Sequence, residues 1–92
     1  MKLAENNNEV KYPYSQYPYV VNFRTNTKSD TVTTEILNTL NLFPTKCWAM
    51  QLKDLPNNGK AYKITFSTLE NGGTFIKNIE KLEKQYKLEE GF

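Results

Sequence analysis

Cys47-Trp48-Ala49-Met50-Gln51-Leu52-Lys53-Asp54-Leu55, then Pro56-Asn57-Asn58-Gly59, then Lys60-Ala61-Tyr62-Lys63-Ile64-Thr65-Phe66: these twenty residues hold two alternating runs around one turn. In the first run Trp48, Met50 and Leu52 fall on one side, with Ala49, Gln51 and Lys53 on the other. In the second, over Ala61 to Phe66, Tyr62, Ile64 and Phe66 share a side opposite Ala61, Lys63 and Thr65. Alternation with period two is the mark of strands that bury one face only. Pro-Asn-Asn-Gly between two such runs is a tight-turn signal, so an antiparallel hairpin is predicted.

Upstream of the hairpin, Val32, Ile36, Leu37 and Leu40 recur at helical spacing, behind Ser29 or Asp30 as a capping residue. Pro44 disfavours helical geometry at Phe43, which puts the end of this helix near Leu42. Further upstream, Tyr19-Val20-Val21-Asn22-Phe23-Arg24 alternates again, with Tyr19, Val21 and Phe23 opposite Val20, Asn22 and Arg24, and is read as the first strand. Downstream, Phe75, Ile76, Ile79, Leu82 and Tyr86 form one helical stripe. The spacing of Ser67 to Glu70 matches a capping box, while Gly72 and Gly73 are expected to delay the helix to Thr74. Strand, helix, strand, strand, helix is the order of an α+β fold of ferredoxin-like kind, two helices covering one face of an antiparallel sheet. Only Leu88 to Phe92 remains for a fourth strand, which is therefore expected to be short or missing, unless the tyrosine-rich segment pairs with the sheet in its place.

Ahead of this unit, residues 1–11 are polar and lack a periodic pattern, and are expected to be a disordered lead. Residues 12–18 hold Tyr12-Pro13-Tyr14 and Tyr17-Pro18, an extended arm in which each proline biases the residue before it away from helix. Residues 19–92 then form a single domain, since 92 residues support one core and not two.

Composition narrows the function classes. Twelve basic residues against ten acidic give a net charge of +2, too small to imply a polyanion partner without local clustering. Cys47 is the sole cysteine, which leaves no intrachain disulfide and fits an intracellular setting. No run is long and apolar enough to cross a bilayer, and the first residues lack a signal-peptide core. The chain contains no histidine, the usual general base and commonest metal ligand near neutral pH. Its carboxylates are scattered or stand in helical pairs with lysines, as Glu80 with Lys84 and Glu83 with Lys87. No catalytic residue, cofactor, metal ligand or small-molecule substrate is expected.

The element order and the strand from Lys60 to Phe66 resemble the RNA-recognition-motif fold, over roughly Tyr19 to Phe92. In that family Ile64 and Phe66 would take core positions of the third strand, and the outward positions would carry rings that stack on bases. Here the outward residues are Ala61 and Lys63, and on the first strand Val20, Asn22 and Arg24, with no ring among them. The Tyr-Val-Val-Asn-Phe-Arg start, the Lys60 to Thr68 strand and the last helix are also similar to divergent domains that precede zinc knuckles in Gag-like proteins of retrotransposons.

Two binding functions follow as expectations. Single-stranded nucleic acid or RNA would lie on the outward sheet face, held by Asn22, Arg24, Gln51, Lys53, Lys60 and Lys63, with Tyr12, Tyr14, Tyr17 and Tyr19 supplying stacking rings. Alternatively the same tyrosines serve a protein interface, as in a homodimer, a larger assembly or a small viral inhibitor.

Overall fold

The computed structural model describes residues 1–5 and 17–92. Its elements run β1 (Ala4–Glu5), β2 (Tyr19–Thr25), α1 (Ser29–Leu40), a 3-10 turn (Thr45–Cys47), β3 (Trp48–Leu55), β4 (Gly59–Phe66), α2 (Leu69–Asn78), α3 (Glu80–Tyr86) and β5 (Glu89–Glu90). The class is α+β, with an antiparallel sheet in the order β1-β2-β4-β3 and β5 paired to β2 as well. Among the described residues no helix is long and apolar enough to cross a membrane.

The hairpin forms as its alternation predicts. β3 pairs with β4 from Trp48↔Phe66 to Leu55↔Gly59. Asn57 and Asn58 both take left-handed backbone, φ 60° and 61°, and Gly59 N donates to Pro56 O at 3.2 Å. Two positive φ values at the centre match the right-handed twist of the strands, and asparagine tolerates them. Asn58 O in turn accepts from Ser29 N at 3.3 Å, so the hairpin turn satisfies a backbone donor in the first turn of α1. No side chain caps that helix, contrary to the role expected of Ser29 or Asp30; Lys28, at φ 54°, stands at its start instead.

β4 lies at the centre, against β2 in the register Val21↔Ile64, Asn22↔Lys63, Phe23↔Tyr62. Phe23 and Tyr62 stack with centroids 5.0 Å apart, and Phe66 packs on Phe75 at 5.2 Å. Val32, Ile36 and Leu40 of α1, Phe75 of α2 and Ile79 between α2 and α3 close over them, all fully buried. Full burial contributes about 1.5–3 kcal/mol for each large side chain, which is what holds the helices to this face.

Three expectations are corrected and a fourth is made specific. First, α2 starts at Leu69, not Thr74: Thr68, rather than Ser67, accepts from Asn71 N at 3.2 Å, and both glycines lie inside the helix. Gly72 is buried with the Leu3 side chain over it, so tertiary packing outweighs the low helix propensity of glycine. Second, the final helix is broken at Ile79, where φ is −100° and ψ 3°. Third, the lead is not structureless at its start: Ala4 pairs with Val20 and Glu5 with Tyr19, while Met1 and Leu3 pack against the core. Exposed backbone on the outer edge of β2 and an apolar surface on the helices are what order these polar-looking residues. The rest of the lead lies outside the described residues. Fourth, the strand added beside the first is built from both ends of the chain. β5 is short, as expected, and pairs Glu90 with Phe23 and Glu89 with Arg24, while β1 takes the other half of the same edge.

Two predictions follow from this packing. A Cβ on Gly59 would come within 2.7 Å of the Thr25 carbonyl oxygen, a backbone atom with little room to move. Gly59→Ala is expected to lower unfolding free energy by about 1–3 kcal/mol in urea titrations. The Tyr62 hydroxyl lies 2.7 Å from Thr33 Oγ1, and burial raises its pKa above the ordinary 10.0 against the lowering effects of Thr33 and Lys60. Since the folded state holds this proton more tightly than the unfolded state, stability is intact below pH 10 and falls as pH climbs from there through the folded pKa. Tyr62→Phe should cost about 1 kcal/mol at pH 7 and flatten that alkaline loss, as read from thermal melts between pH 8 and 11.

Candidate nucleic-acid interface

With every helix packed on one side of the sheet, the register writes the opposite face as three rows. Val20, Thr65 and Ala49 form one; Asn22, Lys63 and Gln51 the next; Arg24, Ala61 and Lys53 the third. Adjacent strands stand roughly 4.8 Å apart, so each row is a line of neighbouring side chains. Five of the six sequence-predicted polar residues therefore do meet on one surface. The sixth does not. Lys60 shares the parity of Tyr62 and Ile64 and lies 3.3 Å from Asp54 Oδ1, away from the other five.

The face is basic at its centre and right-hand row, through Lys63, Arg24 and Lys53. Acids border it at the β5 edge: Glu89 stands opposite Arg24, its Oε1 accepting from Asn26 Nδ2 at 2.8 Å, and Glu90 lines the cleft beside Asn22. Three side-chain atoms on this surface, Asn22 Oδ1, Arg24 Nε and Thr65 Oγ1, are buried without a hydrogen-bond partner among the described residues. Each such atom costs about 1–3 kcal/mol relative to a satisfied one, so three on one sheet face mark it as a place where polar partners are missing. Beside them, between β1 and β5, an open cleft of about 300 Å³ is lined by Lys2, Ala4, Val20, Asn22, Glu90 and Gly91.

Neither Tyr17 nor Tyr19 is placed on this face by its contacts. Tyr12 and Tyr14 lie outside the described residues. Tyr17 donates its hydroxyl to Lys46 O at 2.9 Å, ahead of β3. Tyr19 has the parity of Val21 and Phe23 and packs against the core on the helix side. Among the described residues the aromatic group that does reach the face is Phe92, which sequence reasoning missed. Its carbonyl oxygen accepts from Arg24 Nη2 at 3.4 Å, and its ring centroid is 5.7 Å from Lys53 Nζ. A lone Phe after Gly91 carries no periodic signal, and only the pairing of β5 with β2 brings it back over the sheet.

Trp48 and Cys47 complete the census of reactive or unusual groups. Trp48 packs against the core, and Cys47 is a free, half-buried thiol at the end of the 3-10 turn. Among the described residues no three His, Cys, Asp or Glu side chains gather as a metal site. Comparison with protein-family models, with curated proteins and with solved structures gives no match for this chain.

The orphaned Thr65 hydroxyl gives a direct check on this surface. Thr65→Val keeps the shape and the β-branching while removing the unpaired oxygen, and is expected to stabilise the fold by about 1 kcal/mol in chemical denaturation.

Proposed function

We propose that this chain is a non-catalytic binding module that holds single-stranded RNA, or another single-stranded nucleic acid, across the outward face of its sheet. The layout behind this proposal is ferredoxin-like: the strand that follows the last helix pairs beside β2, β4 is central, and β3 forms the far edge. The observation that carries the proposal is the gathering of Arg24, Lys53 and Lys63 with Asn22 and Gln51 on one helix-free surface. Cations spaced along such a surface bind phosphates without reading sequence, and amide side chains add hydrogen bonds to sugars or base edges. The unpaired Asn22 and Arg24 atoms support the same reading. Resemblance to RNA-recognition-motif domains, including those of Gag-like proteins, and an intracellular setting belong to this proposal.

A protein partner, or a second copy of the chain, is the alternative, and one observation favours it. β3 pairs on one side only among the described residues, and Leu52 on it is 44% exposed. An unpaired strand edge is where an extended segment adds by backbone hydrogen bonds.

Fluorescence anisotropy with a labelled single-stranded RNA separates the two. Binding through three cations predicts that log K falls against log salt with a slope of about −2. The double variant Arg24→Glu, Lys63→Glu should weaken binding by about tenfold or more and make that slope shallower. No binding by the wild type, together with a dimer mass in light scattering, would replace the nucleic-acid proposal with the interface.

A further inference from the structure

Residues 89–92 leave the sheet edge in an unusual direction. Glu89 and Glu90 pair with β2, and Gly91 N then donates to Asn22 O at 3.2 Å. Gly91 has φ 120°, a conformation that residues with a Cβ rarely adopt, and a Cβ there would sit 3.6 Å from Arg24 Nη2. This turn carries the chain off the edge of β2 and over its outward face. Arg24 Nη2 then holds the Phe92 oxygen at 3.4 Å, while Lys53 Nζ, two strands away on β3, lies 5.7 Å from the ring centroid. Arg24 and Lys53 are the ends of one cross-strand row whose middle member is Ala61. Ala61 is 0% exposed although its strand face carries no helix, and Phe92 is held from the two residues that flank it in the row.

We infer that Phe92 is the stacking platform of this surface, and that its ligand is an unpaired nucleobase of a single-stranded nucleic acid. The inference rests on the nucleic-acid reading above and names the residue that takes the base. Two observations point to this chemistry. Phe92 is 37% exposed while Arg24 holds its carbonyl oxygen and Lys53 meets its ring, so the residue is held yet open. It is bordered by Arg24 and Lys53, cations whose burial under an apolar protein partner would be costly. A nucleotide meets both requirements at once, its base covering the ring and its phosphates reaching the cations. The cation on Lys53 orders the ring by its attraction to one π face, so the base takes the opposite face.

The test uses a fluorescein-labelled ten-uridine RNA against the 92-residue chain, with thermal melts to confirm folding of each variant. Phe92→Ala is expected to weaken binding about tenfold, the size of one stacked base, while leaving the salt slope unchanged. Gly91→Ala, which keeps the ring and disturbs its placement, should weaken binding in the same way. Phe92→Trp should restore affinity and show indole quenching by RNA beyond that of Trp48 in the wild type. If the wild type binds with the expected salt slope and Phe92→Ala binds equally well or more tightly, the ring is an occupant of the face and the stacking assignment fails alone. If the wild type shows no salt-dependent binding, both assignments fail.

Discussion

The cross-strand pair of Phe23 and Tyr62 is the constraint on which the rest of this structure depends. Their rings stack at 5.0 Å on the helix side of the two central strands, and a slip of one residue would turn every side chain of one strand to the opposite face. With this pair in place, Val21 and Ile64 must also face the helices, and Asn22, Arg24, Ala61 and Lys63 must face away. The Tyr62 hydroxyl extends the same constraint to the helical layer, through Thr33 Oγ1 at 2.7 Å and the Ser29 carbonyl at 3.4 Å. One aromatic contact thus settles which residues form a core and which form a surface.

Elements with enough residues to show a period were legible in the sequence. The hairpin, the first long strand and the stripe Val32, Ile36, Leu40 stand where alternation and helical spacing put them. β1 was not legible, and β5 only as a short remainder expected from the element order, because two residues cannot display a period and both are held by the backbone of β2 rather than by propensities of their own. The start of α2 was misjudged because Gly72 and Gly73 weigh against helix locally, whereas the packing of Leu3 over Gly72 is a contact between distant residues.

The candidate surface divides in the same way. Asn22, Arg24, Gln51, Lys53 and Lys63 were found by parity, and parity also separates Lys60 from them, since it alternates in phase with Tyr62. Tyr19 is removed from the outward face by that rule as well. Phe92 could not be found by any local pattern: its position depends on Gly91 and on a strand pairing between segments far apart along the chain. The two kinds of residue differ physically, one set by the pleat of its own strand and the other by a turn after it.

The completed outer edge of β2 has a consequence for how the molecule assembles. One half of that edge comes from Ala4–Glu5, close to β2 along the chain, and the other from Glu89–Glu90, which cannot pair until distant segments have met. The hairpin closes a loop of three residues, and the pairing of β5 closes one that includes both long strands and every helix. Closing the longer loop costs more chain entropy and returns only two paired residues, so that half of the edge belongs to the last stage of folding and to the first stage of local opening. The surface that carries Phe92 is therefore finished after the core beneath it, and its order is the most readily lost while the remainder stays folded.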